Sequence, residues 1–347
     1  MKDNSLSKMR ATIHDVARQA EVSTKSISRV LNGEPGVSAE TRQRIQAVIE
    51  QLGYVPNSAA RRMRRTSKAV GLITSGFEDY AGQVIRGMSK AAQHMGYNLV
   101  LYVQFAPSTR FEPYQKFIGS GLIDGVLMVV PEDYDILTKL CNDHDLPYIL
   151  IDYEGSKPTE DTLVLNVTNR KGMLEATRYL LALGHRRIGF ITGVMTFASA
   201  RERLQGYRDA LSEAGIPYDP LLVVEGQWTQ ESGFAQAHVL MERDPQLTAI
   251  LASDDLTAFG AMDAIKDEGL RVAEDVSVIG FDDIPMATNV YPPLTTVRQP
   301  MIEMGQAAIE LLVALLENRP PLSLEREFTT DLIIRESTGR PKVLRPE

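Results

Sequence analysis

The chain has 347 residues, 44% of them hydrophobic and 24% charged, with a formal net charge of −8. Such a length fits two or three domains, the composition is that of a soluble globular protein, and no run of 18 apolar residues offers a membrane span. Cys141 is the only cysteine, so no intrachain disulfide can form, and "MKDNSLSKMRATIHDVARQA" lacks the apolar stretch of a signal peptide. A reducing cytoplasm is the expected compartment.

The charge is uneven. Residues 1–68 contain 13 Lys/Arg and 6 Asp/Glu, net +7, whereas the remainder contains 24 and 39, net −15. A basic head on an acidic body predicts that the head alone meets a polyanion. Ile13, Val16, Ala17 and Ala20 mark a first helix face, with Thr12 as N-cap and Asp15 three residues on. Ile27, Val30 and Leu31 mark a second short face, broken by "NGEPG" at 32–36. Ser38 caps a third helix whose face is Ile45, Val48, Ile49 and Leu52, and Gly53 ends it. Only Glu21 to Ser23 separate the first two helices, the helix-turn-helix spacing. That arrangement places the start of the second helix in a DNA major groove. Thr24, Lys25, Ser26 and Arg29 then face outward, and Ile27 faces inward. Arg29 can pair with guanine, and Lys25 can reach guanine or phosphate. Thr12 and Ser23 sit at helix starts, where backbone N–H groups hold phosphates. A small helical bundle with a solvated polar face has the same periodicity.

Pro56 stops the third helix, and Asn57 can cap a new one through "SAARRMRR", in which Arg61, Arg62, Arg64 and Arg65 surround Met63. Segment 57–65 is shorter than the roughly 12–15 residues that a lone helix needs in water.

Beyond Lys68 the pattern changes. "AVGLITS", "NLVLYVQ", "GVLMVV" and "YILIDY" read as buried parallel strands. Helical segments separate them, such as the face Val84, Met88, Ala91, Ala92 and Met95. From about 170 the alternation restarts with "RIGFIT", "LLVVEG", "AILAS" and "VSVIGF". Two doubly wound α/β lobes are predicted, with ligand at the carboxyl ends of the strands, in a cleft between lobes. Asp152, Asp254 and Asp282 directly follow strands. The plainer reading of Asp255 and Asp283 is helix capping. Paired carboxylates at strand ends could serve as acid and base in a glycosidase, but no nucleophile elbow, P-loop or zinc motif appears. "CNDH" at 141–144 reads as a polar helix end rather than a metal site. His185, in a loop before a strand, has no evident partner. No catalysis, cofactor or metal is expected.

The stretch "ATIHDVARQAEVSTKSISRVLNG" resembles the N-terminal signature of the lactose-repressor (LacI/GalR) family of bacterial transcription regulators. The likeness continues through "VSAETRQRIQAVIEQLGYVPNSAARRM" and resumes in "LALGHRRIGFITG", "SARERLQGYRDAL", "SDDLTAFGAM", "DVSVIGFDDIPMA" and "PPLTTVRQP", covering nearly the whole chain in order. It implies a helix-turn-helix head over 11–56, a hinge helix and linker over 57–67, and a core of the periplasmic-binding-protein type. The first lobe would comprise 68–167 plus 298–327, and the second 168–297 plus 328–341, with crossings near 167, 297 and 328. By resemblance, Asn57, Ala60, Arg61, Met63 and Arg64 contact the minor groove. Met63 stands where the family has a leucine wedge, and apolar wedges of this kind kink DNA. Tyr80, Asp152, Ser199, Arg203, Trp228, Asp254 and Asp282 would line an effector pocket, a mixture of donors, acceptors and an aromatic face that suits a sugar. The chain departs from the family in two places. Val167-Thr168 replaces a common Asp-Asn pair, a role into which Asn166 could shift, and Tyr80-Ala81 replaces a pair of aromatics. The implied function is a repressor that binds a pseudo-palindromic operator as a homodimer. No C-terminal leucine heptad is present to build a tetramer. The alternatives are a regulator responding to a nucleoside or purine, and a cytoplasmic sugar-binding protein without regulatory DNA binding.

Overall fold

The structure, a computed structural model, describes residues 13–31, 35–52, 67–74, 76, 79–103, 112–131, 134–153, 162–319 and 325–342. Thr12, Gly53, Pro56, Asn57, Ala60, Arg61, Met63 and Arg64 lie outside the described residues. In the head, α1 (Ile13–Gln19), α2 (Thr24–Leu31) and α3 (Ala39–Leu52) pack on one another. Their apolar faces meet at Val16, Ala20, Ile27, Val30, Ile45 and Val48, all buried. The Thr41 amide donates to Ser38 Oγ at 3.2 Å, which caps α3. Arg42 Nη1 reaches Val30 O at 3.4 Å, near the end of α2. Helices this short are marginal alone, so the shared core supplies their stability.

The first sheet has the order β11-β5-β4-β3-β1-β2. Its strands are β1 (Ala69–Thr74), β2 (Asn98–Val103), β3 (Gly125–Val129), β4 (Tyr148–Ile151), β5 (Leu163–Val167) and β11 (Glu325–Phe328). All are parallel. Every residue of β1 and β3 is buried, because helices cover both faces. Helices α4 (Asp79–His94) and α11 (Met301–Leu316) pack on each other on one face. They approach so closely that a β-carbon on Gly87 would sit 2.0 Å from Ile302 O. On the other face, α5 (Glu112–Gly119) and α6 (Tyr134–Asp143) bury Tyr114, Ile118, Leu137 and Cys141.

The second sheet has the order β12-β10-β9-β8-β6-β7. Its strands are β6 (Ile188–Thr192), β7 (Val223–Glu225), β8 (Ala249–Ala252), β9 (Ser277–Asp282), β10 (Thr295–Arg298) and β12 (Asp331–Ile333). Helices α7 (Asn169–Leu183) and α8 (Ala198–Glu213) cover one face, and α9 (Gln230–Arg243) and α10 (Asp255–Asp267) the other. The eight apolar runs picked out by sequence are strands in this fold. The sheet is not wholly parallel, since β12 runs antiparallel to β10. β12 follows β11 by a direct crossing, with no helix between them to reverse the chain.

The chain passes from the first sheet to the second after β5, returns between β10 and α11, and passes again between β11 and β12. The first and third passes are pinned together. Thr168 N donates to Phe328 O at 2.9 Å, Thr330 N donates to Thr168 Oγ1 at 3.0 Å, and the two threonine hydroxyls are 3.0 Å apart.

His185 does have partners, contrary to the sequence reading. It is buried, with Nδ1 2.9 Å from Thr248 Oγ1 and Nε2 2.9 Å from Gly339 O. Burial lowers its pKa. The neutral ring therefore ties the C-terminal segment to the second sheet. Sequence proximity could not reveal this, because Gly339 is distant along the chain. Cys141 is wholly buried in α6, and burial pushes its thiol up to about 12. Among the described residues no group of three His, Cys, Asp or Glu is placed to hold a metal ion. No described helix is long and apolar enough to cross a membrane.

Candidate functional site

The carboxyl ends of both sheets carry the polar residues. Asp152 follows β4, Asp254 follows β8, and Asp282 ends β9. All three are buried. Asp152 has φ +53°, Trp228 +60° and Asp282 +118°. Positive φ is uncommon for residues with a β-carbon and costs free energy, so surrounding contacts must hold it.

Arg203 organises the second-lobe side of the cleft. It lies on α8 and is 3% exposed. Nε donates to Asn169 Oδ1 at 2.9 Å, and Nη1 donates to the Ser253 carbonyl. Its guanidinium carbon is 3.8 Å from the Phe281 ring centroid and 5.6 Å from that of Trp228. Nη1 is 3.9 Å from Asp282 Oδ1. Fixed on three sides, the planar group keeps one orientation. Ser199 lies one turn earlier on the same helix, also buried. The Trp228 ring lies against the backbone of Gly193, where a β-carbon would fall 1.9 Å from it, so only glycine admits that ring position.

The carboxylates are not equivalent. Asp282 accepts from Gln299 Nε2 at 2.5 Å. Burial raises its pKa to about 8 against the opposing charge of Arg203, and Asp254 and Asp152 reinforce the rise. Asp254 is also raised by burial, moderated by Thr257 and Arg203. Tyr80 begins near the start of α4, and its hydroxyl is buried without a well-formed hydrogen bond. Burial raises its pKa well above the usual value, followed by the charges of Asp152 and Asp282. These effects place the Tyr80 phenol near Asp152 of its own lobe and near Asp282 and Arg203 of the other.

The capping roles differ from the sequence reading. Asp254, not Asp255, caps α10, accepting from the Thr257 amide at 2.9 Å. Asp255 is wholly buried and accepts from Thr296 Oγ1 at 2.5 Å and the Ile284 amide at 2.9 Å. Asp283 pairs with Arg298 at 2.6 Å and Arg335 at 2.5 Å. Both hold the fold together beside the cleft. The difference arises because the helix begins at Asp255, one residue earlier than a cap at Asp255 would allow. Asn166 is committed as well, its Oδ1 accepting from the Tyr153 amide at 3.2 Å. Two polar residues at the site carried no sequence signal: Asn169, which orients Arg203, and Gln299, which holds Asp282. Both sit beside lobe crossings, where neither helical nor strand periodicity marks a side chain's direction.

On the head, Ser23 Oγ accepts from the Ser26 amide at 3.1 Å and so caps α2. Lys25 is exposed, and Thr24, Ser26 and Arg29 are half-buried. The Arg29 guanidinium folds toward the turn at Gly36, where a β-carbon would be 3.4 Å from Nη1. The first two turns of α2 therefore present one hydroxyl- and cation-bearing face, while Ile27 points into the core.

Known proteins match both regions. Residues 12–57 match the model of bacterial regulatory proteins of the lacI family, and residues 177–338 match a periplasmic binding protein-like domain. The chain is 35% identical over 336 residues to the HTH-type transcriptional regulator CelR of Thermobifida fusca, covering 94% of this chain and 98% of that one. It is 32% identical over 330 residues to the HTH-type transcriptional repressor PurR of Photobacterium profundum, with the same coverage. A solved complex of the regulator CelR with cellobiose superposes with a TM-score of 0.74 at 33% identity, covering 94% of this chain and all of the other. A lac repressor dimer bound to operator and an anti-inducer gives 0.69 at 28% identity, covering 95% and 100%. These relatives are transcription regulators rather than enzymes. With a helix-turn-helix head, two α/β lobes and similarity along nearly its whole length, the chain belongs to the LacI family of bacterial transcription regulators.

Proposed function

We propose that the protein is a repressor that reads a pseudo-palindromic operator as a homodimer, and that a sugar or sugar derivative in the interlobe cleft controls it. Residues 11–56 form the reading head, 57–67 the hinge and linker. The two lobes comprise 68–167 plus 298–327 and 168–297 plus 328–341. In this reading Thr24, Lys25, Ser26 and Arg29 meet base edges and phosphates in the major groove, and Thr12 and Ser23 hold phosphates. Asn57, Ala60, Arg61, Met63 and Arg64 occupy the minor groove at the operator centre.

The observation that carries the effector reading is the setting of Arg203. A fully oriented guanidinium lies between Asp282 and the Trp228 ring, 3.9 Å and 5.6 Å away. Asp254, Asp152, Ser199 and Tyr80 complete the lining. Hydroxyls both donate and accept, and sugar-ring faces are apolar, so carboxylates, a guanidinium and an indole together suit a polyol. The cellobiose complex of CelR supports the same class. A nucleoside or purine is the alternative ligand to test.

Asn169 and Gln299 give the site a route to the hinge. Each holds a cleft side chain, Arg203 or Asp282, from a position next to a lobe crossing. Effector contacts then bias the angle between lobes, and hence whether the short 57–65 helix forms on DNA. Thermal-shift screening of saccharides and purines, followed by operator titration with each hit, tests this. A saccharide hit that shifts operator affinity supports the reading. A purine as the sole hit, or no small molecule altering operator affinity, overturns it.

A further inference from the structure

Asp282 reaches the cleft on an awkward stretch of backbone. It ends β9 with φ +118°, and Asp283 follows at +60°. Two successive left-handed residues with β-carbons are costly, so neighbouring groups must impose the turn. Side chains grip it at each residue. Gln299 Nε2 donates to the Asp282 carboxyl at 2.5 Å. Arg298 and Arg335 pair with Asp283. The Asp255 carboxyl accepts from the Ile284 amide at 2.9 Å.

Burial sets the Asp255 grip apart. Asp255 is 0% exposed and Ile284 2%, whereas the Arg298 side chain is open to solvent. Asp255 begins α10, directly after Asp254, and its other oxygen accepts from Thr296 Oγ1 at 2.5 Å. Thr296 stands opposite Gly280 in the β9–β10 ladder. A β-carbon on Gly280 would lie 2.3 Å from Asp255 Oδ1, so the carboxyl rests on the β9 backbone. It therefore holds the chain two residues before Asp282, at Gly280, and two residues after it, at Ile284. Burial raises the Asp255 pKa well above the usual carboxylate value, and the charge of Asp282 adds to the rise. With or without a proton, one oxygen remains to accept from Ile284. A buried carboxyl is a poor source of stability, because leaving water costs it so much. What it supplies here is a fixed geometry.

We propose that Asp255 is a positioning residue for effector recognition: by holding β9 before Asp282 and the Ile284 amide after it, Asp255 aims the Asp282 carboxyl into the cleft without touching ligand itself. Because Asp255 also follows Asp254 in the chain, it fixes the two cleft acids relative to each other. Without an acceptor at this point the Ile284 N–H would be buried and unpaired, and the turn would relax toward water. Asparagine can take over the task, since its amide oxygen accepts from Ile284 and its NH2 donates to Thr296 Oγ1. Alanine can do neither. The inference rests on the reading above that Asp282 meets the effector.

Crystal structures of the full-length variants Asp255→Asn and Asp255→Ala, without effector, test the placement. The Asp282 carboxyl should keep its position in the first and move by about 1 Å or more in the second. If Asp255→Ala does not fold, Thr296→Val decides in the same way, since it removes the other anchor of the Asp255 carboxyl. A merely structural Asp255 would lower the melting temperature of the alanine variant yet leave the Asp282 carboxyl in place, and that result overturns the inference. Isothermal titration with glucose, cellobiose, ribose and adenosine reads the consequence for recognition. A compound that binds the wild type should bind Asp255→Asn within about twofold and Asp255→Ala at least about tenfold more weakly. Equal binding by all three proteins overturns the role in recognition. Adenosine as the sole binder, with this pattern intact, overturns the carbohydrate reading and supports the role of Asp255.

Discussion

Asp282→Asn should make the empty protein more stable in alkaline solution and ruin its response to effector. The substitution keeps size and shape, keeps an acceptor for Gln299 Nε2, and tolerates the positive φ of 118°. What it removes is a buried negative charge. In the folded chain burial holds the carboxyl at about 8, against about 3.9 in an unfolded chain. A group raised in this way binds more protons folded than unfolded. The wild type therefore loses stability as pH rises from about 4 through 8, and the asparagine variant does not. The whole displacement corresponds to a ceiling of about 5 kcal/mol. Asp254 and Arg203 share the field, and water entering the cleft relieves part of it, so a gain of about 1–3 kcal/mol at pH 9 is expected. For lobes of this size that raises the melting temperature by about 3–10 °C. Melting curves of both proteins at pH 5, 6, 7, 8 and 9, without effector, give the test. The two curves should lie closest at pH 5, diverge steadily from there to pH 8, and keep a constant separation above it. A constant offset across the series, or a variant less stable at pH 9, would refute the argument that Asp282 is held against its charge.

Gly193→Ala should displace the Trp228 ring, which a β-carbon would meet at 1.9 Å. Quenching of indole fluorescence by effector should then weaken, with affinity reduced about tenfold, or about 1.4 kcal/mol. Thr330→Val removes the hydroxyl that lies 3.0 Å from Thr168 Oγ1 across two lobe crossings. A loss of about 1 kcal/mol is expected, read as a melting temperature about 2–4 °C lower; an unchanged melting temperature would show that the threonine pair does not pin the passes. Met63→Ala should reduce both operator affinity and DNA bending while leaving effector titration unchanged. Gel mobility of circularly permuted operator fragments reads the bend, and an unaltered bend would remove Met63 from the wedge role.

Much of the architecture is written in local patterns. Val16, Ile27 and Ile45 mark a shared helical core by spacing alone, and "AVGLIT" or "GVLMV" can only be strands covered on both faces. Such signals survive because helix and strand repeats are properties of a few neighbouring residues. The antiparallel strand β12, the polar strand β11 and the threonine pins at the crossings were not legible, since each depends on residues brought together from distant parts of the chain. At the site, position after a strand identified Asp254 and Asp282 as candidates, and the family resemblance added Arg203. The fold made Asp254 rather than Asp255 the helix cap, gave His185 its partners, and added Asn169 and Gln299. The raised pKa of Asp282 likewise exists only once the fold buries it. Charge along the chain gave the protein a basic head and an acidic body. Burial in three dimensions decides which of those acids hold a proton.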